Sequence, residues 1–454
     1  MLFALLLIAG VADWVPARWN SGDTATLKLL KETPVNCILV EQAHWSDGFL
    51  EQAQQEGIAT LGVIRPGGDG AQIVRQALAS KLTGVVLEGG LDKESLQPLR
   101  QGLSGGKLTV IELPARSGIR LESKDPVVGT SQGVWPGINP ADDGSAKAAP
   151  TGAPWIDTNA GFLRYLRATA KASVWIGNLP PAKTVIPLAR YYQAIGDAAM
   201  VGAHWIVALD ADFEKRLLSG DATALEDWKK IGRHLRYWQE RWGQPPVKPY
   251  RGLAIIQGPE DGALLSGGIL DMVGSRHTPI RAVPLPLLND DFIKGAMMAV
   301  NVDPESISPE QKEALRRFTR SGGSLLTAPP GWKFPPMQPG QVTVQKEEVT
   351  RLDRIWQGVN SMVGRENLGA RLFNVSSMLC ELVSGPGDRP VVLHLVNYSD
   401  HAVEQVTVQL VEKVEKATLY SPDGTQKPLE VYPYEKGSGV DIDKIASIAT
   451  IVLE

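Results

Sequence analysis

From about residue 30 to about residue 210 the chain repeats one unit: a short apolar run, a polar residue at its end, then an amphipathic stretch. The runs are NCILVE (36–41), ATLGVIR (59–65), GVVLE (84–88), LTVIE (108–112), VVGTSQ (127–132), SVWIGN (173–178) and HWIVALD (204–210). They are continuously apolar rather than alternating, the pattern of strands buried on both faces. Between them, 70–80, 94–103, 159–170 and 184–201 read as helices. Alternating strand and helix implies a parallel sheet, because parallel neighbours need a crossover. These seven runs predict a TIM-like (β/α)8 barrel over residues 13–248 rather than an open sheet. No GxGxxG follows the first run, which speaks against a dinucleotide-binding sheet. An eighth strand is missing from the pattern. Residues 251–257 (RGLAIIQ) either close the barrel or open the next unit; the second is preferred, which leaves the barrel incomplete or irregular on one side.

At 454 residues the chain exceeds the roughly 250–300 residues over which one core grows, so further domains are expected. Residues 249–345 carry the material of a small flavodoxin-like α/β unit: IRAVPL from 280, AMMAV from 296, a helix at 309–320 stopped by Gly322-Gly323, and SLLTA from 324. Towards the C-terminus, over 346–454, the texture changes to short strands divided by NYSD, PDG and KGSG, the signature of an antiparallel β-sandwich. The start, MLFALLLIAG, is too short to span a membrane. With the small residues Gly10-Val11-Ala12 it reads as an export signal over 1–12, giving a secreted or periplasmic protein; a buried first element is the rival reading.

Charge and cysteine content exclude whole classes of function. Lys+Arg 46 against Asp+Glu 50 leaves −4, not the basic surface that a nucleic-acid binder needs. Two cysteines, Cys37 and Cys380, permit no disulfide framework and read as buried thiols. The six histidines show no metal-ligand spacing, so no metal and no cofactor are expected.

The order of parts, with SPEQKEALRRFTRSGGSLL (308–326) in the middle unit and VVLHLVNYS (391–399) in the last, resembles multidomain glycoside hydrolases. The layout is similar to the beta-galactosidase group whose middle domain looks like a class I glutamine amidotransferase. Such a middle domain would need a cysteine nucleophile, and 249–345 contains none, so here it is structural or a homo-oligomerisation surface. The resemblance implies a carbohydrate substrate and hydrolysis by two carboxylates at the barrel mouth. It also implies an acid/base on the fourth strand and a nucleophile on the seventh. By strand count these are Glu112 and Asp210, with Asp212 a substitute, although Ile111 stands where that family has Asn before its acid/base.

Every run ends in a polar residue, and four of the seven ends, Glu41, Glu88, Glu112 and Asp210, are carboxylates. Strand ends meet water and are polar for that reason alone, yet a ring of acids at one mouth also suits glycosidic chemistry. Glu41, Glu88 and Asn178 are therefore candidates for substrate binding. Ten of the twelve tryptophans precede residue 250. Trp45, Trp135 and Trp155 are candidate sugar platforms, with Asp157 and Asn159 as hydroxyl-binding groups unless they cap the following helix. A non-catalytic carbohydrate-binding or scaffold protein on a degenerate barrel is the alternative.

Overall fold

The computed structural model describes residues 10–454 apart from 68, 91–92, 104, 123, 141–144, 150, 152–154, 243–247, 251, 259–268, 275 and 329–345. The expected signal therefore lies outside the described residues up to residue 9. Eight parallel strands then stand in cyclic order: β1 (Pro16–Arg18), β2 (Cys37–Val40), β3 (Ala59–Ile64), β4 (Gly84–Glu88), β5 (Thr109–Leu113), β6 (Val127–Thr130), β7 (Ser173–Gly177) and β8 (His204–Ile206). β1 to β5 form one sheet, and β6, β7 and β8 form another. The ring closes where Ala17 pairs with Val207. There Arg18 N–H donates to Val207 O at 2.7 Å and Val207 N–H donates to Pro16 O at 3.1 Å. Between β5 and β6, side chains bridge the seam instead of a backbone ladder. Thr130 Oγ1 donates to Pro114 O at 2.6 Å, and Arg116 Nε donates to Gln132 O at 2.8 Å.

The strand absent from the sequence pattern is thus β1, ahead of the seven runs, and residues 251–257 do not close the barrel. Its three residues begin with proline and end with arginine, so no apolar run marks it. Proline is tolerated there because the first residue of a strand can forgo its N–H. Alternation along the strands separates two faces. Cys37, Leu39, Leu61, Val63, Val86, Ile111, Leu113, Val127, Trp175 and Ile206 fill the interior, with Trp14 among them. The opposite faces meet a surrounding layer of helices: α1 (Asp47–Gln55), α2 (Gly70–Ala79), α3 (Lys93–Leu103), α4 (Ala160–Thr169), α5 (Leu188–Ala199), α6 (Ala211–Leu218) and α7 (Ala222–Arg241).

The middle unit has four parallel strands, β9 (Leu253–Gln257), β10 (Arg281–Pro284), β11 (Met298–Asn301) and β12 (Ser324–Thr327). Their spatial order is β10-β9-β11-β12, the doubly wound arrangement. Helices α8 (Ile269–Gly274), α9 (Asp290–Ile293), α10 (Pro309–Arg320) and α11 (Lys346–Val363) accompany it. Ser308 caps α10 in a reciprocal capping box with Gln311. Helix α11 lies against α8 and β12, so the expected boundary at 346 falls too early. Its buried Trp356 and Val359 explain why: this helix covers the parallel sheet rather than beginning the sandwich.

The C-terminal unit packs two antiparallel sheets. One contains β13 (Ala370–Phe373), β16 (Val403–Leu410), β20 (Gly437–Ile445) and β19 (Val431–Tyr434). The other contains β14 (Met378–Ser384), β15 (Pro390–Asn397), β21 (Ile448–Leu453), β17 (Ala417–Tyr420) and β18 (Gln426–Leu429). Their inner faces form one apolar cluster. Both thiols are buried, Cys37 in the barrel and Cys380 in β14. Buried polar contacts join the units: Arg164 of α4 pairs with Glu381 at 2.8 Å, and Tyr398 donates to Asp197 of α5 at 2.5 Å.

Candidate active site

The C-terminal ends of the barrel strands form a mouth with two different parts. At its centre four charged side chains interlock. Arg65 forks onto Glu41 with bonds of 2.6 and 2.8 Å and pairs with Glu88 at 2.9 Å. Arg18, at the end of β1, also binds Glu88. Glu88 shares the inward face of β4 with Val86, and both it and Arg18 are buried. Glu41 and Glu88 are thus brought together, with arginine between them. The Arg65 guanidinium is pushed above its ordinary range, chiefly by its bond to Glu41.

The second part is a groove of about 500 Å³ beside this lock, where the ends of β7, β8 and β1 meet. Asn20, residues 179–185, Asp210, Asp212 and Glu214 line it. Asp210 is buried and held by neutral donors: Tyr191 Oη at 3.0 Å, Ile186 N–H at 3.1 Å and Phe213 N–H at 3.0 Å. The last of these makes it the N-cap of α6. Glu214, one turn on, receives both of its contacts from Asn20 Nδ2, at 3.1 Å each. Asp212 is tied to Arg216 at 2.9 Å. The Tyr191 hydroxyl is pushed above its ordinary range by burial, then by the charge of Asp210, with a smaller push from Glu214. One hydroxyl therefore senses both carboxylates.

The other candidates fall elsewhere. Glu112 alternates with the inward Ile111 and Leu113, so it lies on the outer face of β5. There it takes Arg100 in a fork of two 2.5 Å bonds and Arg120 at 3.0 Å. It does not share a cleft with Asp210. The strand count that chose this pair is corrected by β1: β4 ends in Glu88, β7 ends beside Asn178, Glu112 is on β5 and Asp210 follows β8. Asn178 donates to Gly133 O at 2.7 Å, joining the ends of β6 and β7.

Trp135 is buried, edge-on to Tyr191 and Trp205 with centroids 5.3 and 5.0 Å apart. It supports the residue that holds Asp210 rather than offering a face. Trp45 is buried with Nε1 on Val40 O at 2.9 Å, and Trp155 is half-buried against the core. Asn159 is wholly buried. It accepts from Arg116 at 2.8 Å and from Val134 N–H at 2.7 Å, and donates to Asp197 at 2.9 Å. Burial raises Asp197 above the usual carboxylate range, against the pull of its donors Thr158, Tyr398 and Asn159. Burial lowers Arg116 to about 10. Asp157 is raised by burial too, with Thr151 and Arg190 drawing it back. Asn159 therefore belongs to the framework that ties α4 to α5 and the sandwich, while Asp157 is held by Thr151 beside Arg190 of α5.

No protein-family model matches the chain, and no curated protein matches it in sequence. The structure of alpha-L-fucosidase isoenzyme 2 from Paenibacillus thiaminolyticus matches 97% of this chain and 99% of its own, with a TM-score of 0.62 and 12% identity. A rhamnosidase from Novosphingobium sp. PP1Y covers 90% of this chain but 40% of its own, with a TM-score of 0.47 and 9% identity. The glycoside hydrolase domain of PelA from Pseudomonas aeruginosa covers 43% of this chain, with a TM-score of 0.28 and 14% identity. The last two are too distant to argue from. The chain has a glycosidase-like fold. It shares that fold with the fucosidase over essentially the full length of both, so all three units take part. Nothing in the comparisons singles out a beta-galactosidase layout.

Sequence reasoning missed Asn20 and Glu214. Asn20 follows the unrecognised β1, and Glu214 sits in the first turn of a helix, where an acid is expected for the dipole alone. The spacing Asp210-x-x-x-Glu214, one helical turn, is the signal that could have found the second.

Proposed function

We infer that the protein is a glycoside hydrolase acting on a saccharide in the groove at the ends of β7, β8 and β1. The observation that carries this reading is the pair Asp210 and Glu214, two carboxylates on one open groove at the barrel mouth, held by neutral donors. Glycosidic hydrolysis needs one carboxyl to protonate the leaving oxygen and a second to attack the sugar or activate water. Asp210 is fixed by three hydrogen bonds and suits the role that demands position. Glu214 is half-buried, one turn along α6. The full-length likeness to a fucosidase raises the expectation of a carbohydrate substrate, although fold alone does not assign activity. The chemistry proposed here needs only the two carboxyls and water.

A non-catalytic carbohydrate-binding or scaffold role is the second reading. It is favoured by the arginines on Glu41, Glu88 and Glu112 and by Asn178 at the end of β7. A panel of aryl glycosides, L-fucosides included, assayed with the parent protein and with Asp210→Asn, decides between them. Turnover by the parent that collapses in the variant supports the hydrolase. Saccharide binding without turnover in either supports the second reading. Export and assembly through the middle unit stand as further proposals. They are tested by N-terminal sequencing of protein made from its own start and by the mass in solution.

A further inference from the structure

A second cleft, of about 580 Å³, lies along the seam between α5, α7 and the sandwich and shares no lining residue with the groove at the barrel mouth. A smaller hollow of about 160 Å³ adjoins it, sharing Arg233 and the turn at 421–425. Lys230 and Arg233 of α7 face Lys427 and Lys444 of the sandwich across it, with Asp423 and Asp443 as its acids. The lining itself thus carries four bases against two acids, in a chain whose net charge is −4. The acids that pair with Lys230, Arg233 and Lys444, namely Asp227 at 2.8 Å, Glu226 at 3.6 Å and Glu404 at 3.5 Å, do not line the cleft. Lys427 pairs with Asp443 at 2.5 Å. The pairs of Arg233, Lys427 and Lys444 are exposed and worth about 0–1 kcal/mol each, so a ligand can take these bases over.

The cleft also holds a prepared ring. Tyr192 stacks on His234 with centroids 3.7 Å apart and planes 4° from parallel. His234 is fixed at both nitrogens, with Nδ1 on Lys230 O at 2.9 Å and Nε2 on Ser447 Oγ at 3.0 Å. A backbone carbonyl only accepts, so Nδ1 carries the proton and Nε2 accepts from the serine. Burial, which lowers this imidazole to about 4, agrees with that neutral form.

We propose that this seam is a binding site for an anionic saccharide, a sugar chain bearing carboxylate or sulfate groups, separate from the groove at the barrel mouth. The bases meet the anions, the tyrosine ring meets sugar C–H groups, and Ser421, Thr425, Asp423 and Asp443 meet hydroxyls. The two aspartates disfavour a nucleic acid, which carries a charge at every nucleotide for them to repel, whereas a saccharide can set its hydroxyls against them and its anions against the bases.

Calorimetric titration of the full chain tests this with three hexamers: oligogalacturonate for carboxylate, a carrageenan fragment for sulfate, and cellohexaose as the neutral control. At least one anionic hexamer should bind about tenfold or more tighter than cellohexaose, and added salt should weaken it. The triple change Arg233→Gln, Lys427→Gln, Lys444→Gln should reduce that affinity about tenfold or more with the melting temperature little changed, because these side chains are exposed. Asp210→Asn should leave it unchanged, which separates this site from the hydrolytic reading. Failure of both anionic hexamers to bind overturns the proposal. So does indifference to the triple change, or equal affinity for cellohexaose or for a single-stranded oligonucleotide.

Discussion

The centre of the barrel mouth and the groove beside it are built from the same residue types to opposite effect. At the centre Glu41 and Glu88 are locked by Arg65 and Arg18. In the groove Asp210 and Glu214 are held by a phenol, two backbone N–H groups and an amide. An arginine consumes a carboxylate: it neutralises the charge and occupies the lone pairs a substrate would need. Neutral donors orient a carboxylate and leave its charge in place. Acids at strand ends are therefore not equivalent, and the partner rather than the position separates a strut from a reagent.

The sharpest way to break this contrast is to change one acid in each part. Asp210→Asn should lower kcat about a thousandfold or more, since a group acting in the transition state is worth several kcal/mol there. Asparagine still caps α6, but its amide nitrogen cannot accept from Ile186 N–H as the second carboxylate oxygen does, so unfolding should report a loss of only about 1–3 kcal/mol. A larger loss, measured by calorimetry, with turnover per folded molecule kept, would mean that Asp210 serves α6 and not a substrate.

Glu88→Gln should show the reverse profile. Arg18 is buried, and removing its partner strands a charge inside the barrel, which costs about 3–5 kcal/mol. Arg65 loses less, because Glu41 remains. Equilibrium urea unfolding should report the drop, while the double change Arg18→Met, Glu88→Met should recover most of it. Turnover in the surviving folded fraction should stay near the parent value. If Glu88→Gln instead abolished turnover with stability intact, the lock would be the active centre.

The barrel was legible in the sequence wherever a strand is buried on both faces, because such strands read as unbroken apolar runs. β1 was not, since Pro16-Ala17-Arg18 owes its place to backbone closure against Val207 and to a charge that neutralises Glu88. One unread strand shifted the count and carried Glu112 into a role its outward side chain cannot fill. Tryptophans misled for a related reason. Trp135 stands just past a run, where a surface aromatic would, yet it is packed edge-on to Tyr191 and Trp205. Sequence shows that a residue stands at a strand end; which way it faces and which arginine meets it come from long-range packing.

A weaker effect tests the interior that supports both parts. Burial lowers His394 to about 3 and His204 and His234 to about 4. Each folded-state value lies below the unfolded one of 6.5. The neutral form's contribution is therefore complete above pH 6.5 and drains as pH falls towards the folded value. The slope is about 1.4 kcal/mol per pH unit for each histidine. Asp197, Asp271 and Glu381, raised by burial, act the other way, since the fold takes up their protons first. His394→Gln removes one histidine and keeps a partner for Thr450 Oγ1, now at 2.9 Å. Its unfolding free energy, followed from pH 7 to pH 4, should decline less steeply than that of the parent by one such slope.

The smallest expected effect belongs to Glu112, and it completes the comparison because Glu112 ends a strand as Glu88 does. Its side chain points out of the barrel to Arg100 and Arg120, whose side chains are 37% and 51% exposed. Glu112 itself is 14% exposed, but with arginines that open to solvent the pairs are screened and contribute about 1 kcal/mol. Arg100 owes its raised guanidinium chiefly to the bond with Glu112, but it has water to fall back on when that bond goes. Glu112→Gln should therefore shift the urea midpoint slightly and leave kcat and KM within about twofold of the parent. The cleft beside Glu112 holds about 20 Å³, too little for a sugar. A large fall in turnover here would mean that the outer face of β5 is a working surface, and that the groove beside β8 is not where the chemistry happens.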